Sequence, residues 1–534
     1  MRYQDIHLLQ HLIEHSARIL PGRTALTLGA DSLDYAGLAG LVERFAAGAL
    51  RLGLARQERV AVFLAKGFEH VAACFGTASA GGVFVPLNPL LKPEQVAYIL
   101  RDCNVKMLVT SSIRYDQLKS ALADCPDLRE VVLIDGQPGA PRVAGVNEHR
   151  WSEVIAAAEP APACHRVIDS DMVAILYTSG STGKPKGVVL SHRNMVTGAK
   201  SVASYLGNSE GDTILSALPL SFDAGFSQLT TAFLVGARVV LLNYLTAQEV
   251  VTVMAKEKVT GLTGVPPLWM QLAQIEWPAE AAASLRYFAN TGGKMPRPTL
   301  DALRAKAPTA KPYLMYGLTE AFRSTYLPPE EVDRRPDSIG KAIPNAEILV
   351  LDDDGQPCGP NQPGELVHRG PLVSLGYWND VAKTAERFKP LPGREGGLVL
   401  PEMAVFSGDT VRMDEDGFLY FVSRRDEMIK TSGYRVSPTE IEEILYATQV
   451  VAEVAAFGIE HATLGQAIAV VAWPKADAEV TVASLQALCR QRLPAYMVPS
   501  RIELVTEALP RNPNGKIDRK LLAERLQQTQ ELTA

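Results

Sequence analysis

The chain has 534 residues, 47% of them hydrophobic and 21% charged, and a formal net charge of -6. At roughly 150 residues per domain this length holds about three or four domain-sized units with an ample core, which excludes peptide-scale or metal-stapled scaffolds. A slightly acidic balance offers no electrostatic case for nucleic acid or an anionic membrane as the main partner.

Six cysteines (Cys74, Cys103, Cys125, Cys164, Cys358 and Cys489) are scattered and never form C-x-x-C. They read as reduced thiols of a cytoplasmic protein, not as a disulfide framework or a zinc site. Asp5 and Glu14 interrupt the first twenty residues where a secretory signal needs an apolar stretch. The longest nearly apolar run, Val71 to Leu87, is broken by Gly76, Gly81, Gly82 and Pro86. It is expected to be a buried helix entering a buried strand, and no membrane span is expected.

Elements alternate along most of the chain. Helical spacing over 34–52 leads into the strand ERVAVFLA (58–65). A helix near 68–80, strand VFVPL (83–87), helix 92–101 and strand VKMLVT (105–110) follow. AILY (174–177), TILSAL (213–218) and ARVVLL (237–242) continue the series. Strands alternating with helices predict βαβ units and parallel sheet. Beyond about residue 340, AEILVLDDDGQP, GELVHRG and DGFLYFVSRRD are short strands joined by Asp-Gly and Pro-Gly turns, predicting antiparallel sheet. After Arg425 a helix at 438–447, two strands and a helix at 482–491 predict a separate α+β unit. The expected fold class is therefore α/β plus α+β. A large domain of fused βα subdomains with a small antiparallel part spans 1–423, a short joint 424–426, and a small α+β domain 427–534.

The stretch Tyr177 to Gly187, YTSGSTGKPKG, directly follows the strand AILY. Its glycines let backbone approach a ligand closely. Its hydroxyls and exposed N–H groups can wrap phosphate oxygens, and Lys184 and Lys186 add charge. Pro185 after Lys184 breaks the G-x-x-x-x-G-K-[ST] spacing of a P-loop.

This string resembles the signature loop of the AMP-forming adenylating enzymes: acyl-CoA synthetases, adenylation domains of nonribosomal peptide synthetases, and luciferases. The resemblance extends over the whole chain. SLDYAGL (32–38), GGVFVPLNP (81–89), YGLTE (316–320), GELVHRGPLVSLGYWND (364–380), SGDT (407–410), RRDEMIKTSGYRVSPTEIE (424–442), LPAYMVP (493–499) and NPNGKIDR (512–519) stand in the family's order. It implies a two-step reaction: a carboxylate attacks the α-phosphate of ATP with loss of pyrophosphate, and a pantetheine thiol then displaces AMP. Two anions meet in the first step, so catalysis is charge neutralisation and positioning.

The resemblance assigns phosphate binding to Thr178, Ser179, Gly180, Ser181, Thr182, Gly183, Lys184 and Lys186, with Gly292, Gly293 and Gly317 closing the nucleotide site. Tyr316 matches the ring that stacks on adenine, and Thr319 the α-phosphate ligand. Glu320, with Thr182, matches the holder of Mg²⁺, a hard cation that prefers oxygen ligands. Asp409 and Arg424 match the ribose contacts, and Lys516 the mobile lysine bridging carboxylate and α-phosphate. Asp426 matches the hinge about which the small domain rotates. Lys430 to Arg435, with Gly433, match the loop that then lines the pantetheine tunnel. The implied thiol belongs to CoA or to phosphopantetheine on a carrier protein.

Departures bear on the acid. Ser423 replaces the usual glycine at the hinge, and Lys294 stands where Gly-Gly-Ala or Gly-Gly-Glu is usual. In LPLSFDAGF, Asp223 matches the aspartate that pairs with an α-amino group in peptide-synthetase domains. A buried carboxylate without a cation is unfavourable, so an amino-bearing or otherwise polar acid is expected, unless Asp223 caps a helix starting near Ala224. The acyl pocket is expected from Phe222, Asp223, Ala224, Gly225, Val265, Pro266, Trp269, Asn290, Gly292, Gly293, Lys294, Met315 and Phe322. The stretch from Tyr316 to Glu347 also resembles the acyl-AMP ligases found beside exosortase A systems, which makes a stand-alone acyl carrier protein an expected partner. The alternatives are an amino-acid adenylating ligase, a luciferase-type oxygenase, or a nucleotide-binding protein without turnover.

Overall fold

The computed structural model describes residues 5–136, 143–156, 163–178, 185–391, 401–424, 428–475, 478–511 and 517–531. Its strands form three sheets. One has seven strands, in the order Asn147–Arg150, Glu130–Leu133, Val105–Thr110, Arg59–Phe63, Val83–Pro86, Met172–Thr178 and Lys186–Ser191. Its neighbours are parallel except the last pair, where Thr178 faces Lys186 in antiparallel register. The central strands read as unbroken apolar runs because both faces are covered: Val60 to Phe63 and Val83 to Pro86 are buried throughout.

Beyond an edge strand, Asp31–Asp34, that pairs antiparallel with Thr24–Leu28, the fourteen-stranded sheet is at first parallel. Thr24–Leu28, Arg238–Leu241, Thr213–Ser216, Gly261–Gly264, Tyr287–Asn290 and Lys311–Tyr316 lie side by side. At Thr325–Leu327 the pairing turns antiparallel and continues through Ser338–Ala342, Leu419–Arg424, Met403–Met413, Gly364–Arg369 and Glu347–Leu351. The antiparallel part therefore prolongs the parallel sheet, with a register shift between Ser338 and Gly340. A five-stranded sheet, Tyr434–Val436, Ile429–Thr431, Gly465–Pro474, Val451–His461 and Arg501–Leu504, forms the small α+β unit.

Two buried helices join the large sheets. Phe68–Ser79 and Asp223–Val235 meet where Phe75 stacks on Phe226 at 5.6 Å, and Phe84 also stacks on Phe226 at 4.9 Å. Such pairs add about 0.5–1.5 kcal/mol each beyond burial. The run 71–87 is thus the helix-and-strand core expected of it. No helix among the described residues is long and apolar enough to cross a membrane. Local signals set the helix ends. Asp34 accepts from the Gly37 N–H at 2.7 Å to start Tyr35–Arg51, and Ser191 caps His192–Leu206, which stops at left-handed Gly207. Lys66 ties the sheets together by donating to the carbonyls of Ser216, Ala217 and Leu242 at 2.7–2.8 Å. Burial lowers its ammonium to about 7.

Candidate active site

The carboxyl ends of parallel strands open onto one cavity of about 170 Å³, the usual ligand position in α/β sheets. Thr178, Val265, Gly292, Gly317 and Thr319 line it from the large body, and Lys430, Gly433, Tyr434 and Arg435 from the small unit.

On the nucleotide side, Tyr316 ends its strand buried and donates its hydroxyl to Asp409 Oδ2 at 2.5 Å. Asp409 is buried at a point where its backbone pairs with that of Arg424. The residues expected at adenine and ribose therefore form one unit. Glu320 is buried too; Tyr377 donates to its Oε1 at 2.6 Å, while Oε2 has no partner. An orphaned carboxylate oxygen beside Thr319 suits Mg²⁺. No group of three or more His, Cys, Asp or Glu side chains clusters among the described residues, so phosphate and water would supply the other ligands. Lys186 begins the strand after the signature loop, its ammonium 5.6 Å from the centre of the Tyr377 ring. Burial first, then Lys383, lowers the Lys186 pKa.

The hairpin of Ile429–Thr431 and Tyr434–Val436 carries Gly433 against the large body. Gly433 has φ +80, and a Cβ there would stand 2.8 Å from Val265 Cγ1 and 2.9 Å from Val265 Cβ. Tyr434 stacks on Tyr496 at 3.7 Å and meets Phe222 edge-on at 5.0 Å. Glu440, buried behind the hairpin, accepts from Gln95 of the large body at 3.1 Å, and burial pushes its carboxyl up to about 7. None of the described residues beyond Met497 lines the cavity, so the docked face is the one bearing Lys430 to Arg435.

The acyl-side expectations are redistributed. Phe222, Asp223 and Ala224 line the cavity, and Met315 lines a smaller one behind it. Asp223 is the first residue of its helix, whose cap residue is Phe222, so it does not fill the capping role. Burial raises the Asp223 carboxyl, while Arg323 and the N–H groups of Ala224 and Asp223 pull it partway back. Trp269 lies elsewhere: it is fully buried in the packing under Gly264. Phe322, with φ +57, is buried against Gly198. Lys294 points to solvent and pairs with Asp337 at 2.7 Å, both about three-quarters exposed. Asn290 holds the Gly293 carbonyl at 2.8 Å and so shapes the loop.

Arg323, which no sequence pattern singles out, is the surprise. It is 3% exposed, lines both cavities, and stands 3.7 Å from Asp223 Oδ2. It sits three residues after Glu320, but a charged residue beside a motif ordinarily faces solvent. Ser179, Gly180, Ser181, Thr182, Gly183, Lys184, Asp426, Lys516 and the Arg424 side chain lie outside the described residues.

The profile of the AMP-binding enzyme family matches residues 13–378, and that of the AMP-binding enzyme C-terminal domain matches 440–516. The chain is 30% identical to the indoleacetate–CoA ligase of Aromatoleum aromaticum, covering 95% of this chain and 96% of that protein. It is also 30% identical to the long-chain-fatty-acid–CoA ligase of Salmonella typhimurium, over 98% and 95%. Gramicidin S synthase 2 of Brevibacillus brevis is 29% identical over 97% of this chain, which spans 11% of that much longer protein. Among solved structures, the o-succinylbenzoate CoA synthetase of Bacillus subtilis superposes with a TM-score of 0.83 at 26% identity, covering 96% of this chain and 98% of that one. With both halves matched in order on a fold of that class, the chain belongs to the AMP-binding enzyme family.

Proposed function

We propose that the protein is an ATP-dependent acid–thiol ligase. The substrate carboxylate oxygen attacks the α-phosphorus, the bond to the pyrophosphate oxygen breaks, and acyl-AMP forms. A pantetheine sulfur then attacks the acyl carbon, AMP leaves, and the thiol proton is lost to solvent. The observation that carries this reading is the shared cavity, in which the Gly433 hairpin seats against Val265 beside Thr319 and Gly292.

In this reading Thr319 donates to the α-phosphate, Tyr316 and Asp409 hold the nucleoside, and Lys186 and the signature loop hold the phosphates. Glu320 would hold Mg²⁺, which when bound neutralises charge on the phosphates. Lys516 bridges carboxylate and α-phosphate in the first step. The small domain, 427–534, then turns about Asp426 to present Lys430 to Arg435 for the second. The docked hairpin supports the second arrangement as an accessible state.

The thiol is that of CoA or of a carrier protein, as the named CoA ligases and the peptide synthetase among the relatives suggest respectively. An amino-acid substrate is less favoured, because a buried guanidinium already faces Asp223. Four of the six free cysteines are buried, in keeping with a reducing compartment such as the cytoplasm. Pyrophosphate release across a panel of acids, repeated with CoA and with a carrier protein, tests the proposal. Release that depends on acid, followed by thioester formation, is expected. No release with any acid would refute it, and light emission or oxygen uptake would reveal an oxygenase.

A further inference from the structure

Behind the main cavity lies a small one of about 20 Å³, bounded by Ala224, Gln228, Thr231, Thr263, Tyr287 and Met315, with Arg323 between the two. Its polar atoms are poorly satisfied. Gln228 donates to the Leu215 carbonyl at 2.8 Å, which leaves Oε1 without a partner. The Thr231 hydroxyl has none, nor has Arg323 Nε. A guanidinium carries five donors, yet the Asp223 oxygen at 3.7 Å is beyond hydrogen-bond distance. Buried polar groups are nearly always paired, by protein, ligand or water. A space of about 20 Å³ has room for one water to serve Gln228 and Thr231, whereas Arg323, which also stands on the wall of the main cavity, points to a ligand that pairs its donors.

Charge narrows the class. An alkyl chain would cover Arg323 and leave its donors desolvated and unmade. The ammonium of an amino acid would face a like charge at short range in a low-dielectric site. A carboxylate matches the planar fork bidentately. Resting on the ligase reading above, we propose that Arg323 anchors a second carboxylate on the substrate, so that the protein activates one end of a short dicarboxylic acid. The small volume beyond Arg323 limits chain length. Burial raises the Asp223 carboxyl, which lessens its opposition to a second carboxylate beside Arg323.

The test measures pyrophosphate release with butanoate, hexanoate and octanoate, with the dicarboxylates of the same lengths, and with the corresponding ω-amino acids. For the unaltered enzyme, kcat/KM for the best dicarboxylate should exceed that of its monocarboxylate by about 100-fold or more, since a site built to pair a polar group rejects analogues lacking it. Arg323→Met should lower the ratio of dicarboxylate to monocarboxylate kcat/KM by about 100-fold. Arg323→Lys should retain part, having charge without the fork. If Arg323→Met fails to fold, the unaltered enzyme's panel decides by itself. Release confined to monocarboxylates or amino acids, or an equal effect of Arg323→Met on both acid types, overturns this inference alone. No release with any acid overturns the ligase reading and this inference with it.

Discussion

Replacing Gly433 by alanine loads strain onto the contact between the small domain and the large body. The new methyl would stand 2.8 and 3.1 Å from the two Val265 methyls and 2.9 Å from Val265 Cβ. Two effects must be separated. Holding an L-residue at φ +80 costs about 1–2 kcal/mol; that strain is internal to the hairpin and bears on its folding, whereas docking adds a separate term. The clash with Val265 exists only when the hairpin is seated, and an extra methyl in a packed contact costs about 1–3 kcal/mol. At about 1.4 kcal/mol per tenfold, the docked population should fall about 5- to 150-fold. Transfer from supplied acyl-AMP to the thiol should slow by that factor, while ATP–pyrophosphate exchange stays within about twofold. Val265→Ala in the same chain removes the contacts at 2.8 and 3.1 Å and should restore part of the transfer rate. Equal loss in both half-reactions, or undiminished transfer, would refute the reasoning.

Lys516→Ala should show the opposite split, losing about 100-fold or more in exchange, as for removal of a donor to developing charge, while keeping transfer from acyl-AMP. Glu320→Gln should raise the Mg²⁺ concentration for half-maximal exchange by about tenfold or more. Tyr377→Phe, which removes only the donor to Oε1, should raise it by less, in keeping with about 0.5–1.5 kcal/mol per hydrogen bond. Glu440 has a raised pKa, so its contribution to the docked arrangement is fully present below the ordinary glutamate pKa of about 4.5 and is lost as pH rises through about 7. Glu440→Gln should flatten that dependence of the transfer step; a profile identical to that of the unaltered protein would exclude Glu440 as its source. Asp212 is 4% exposed and accepts from Arg286 at 3.1 and 2.8 Å, from Thr260 at 2.7 Å and from the Ser209 N–H at 2.9 Å. Arg286→Ala should therefore destabilise the fold by about 3 kcal/mol in urea denaturation. Burial raises the Asp212 carboxyl but Arg286, Thr260 and Ser209 outweigh it, so this stability should be present at neutral pH and lost as pH falls below the ordinary aspartate range.

Much of the molecule was legible in the order of its residues because the relevant physics is local. Alternating apolar runs become parallel strands and covering helices through hydrogen bonding and burial that neighbouring residues decide. Glycine and hydroxyl spacing around a phosphate, an acid beside a threonine in YGLTE, and Asp409 in SGDT keep their chemistry wherever the chain carries them. The expected acyl pocket was only partly legible. The smaller cavity draws Thr231, Thr263, Met315 and Arg323 from separate elements, and whether a side chain turns in or out depends on packing between elements. The backbone at Phe322, in the positive-φ region that costs a non-glycine residue about 1–3 kcal/mol, buries that ring against Gly198, and Arg323 lines the cavity. Trp269 goes to the core beneath Gly264, and Lys294 to solvent beside Asp337. The sequence by itself thus determined the family and carried the motifs expected at a nucleotide. Only the tertiary structure put Arg323 on the cavity wall, because a pocket is a property of packing between elements distant in sequence, and no local pattern encodes it.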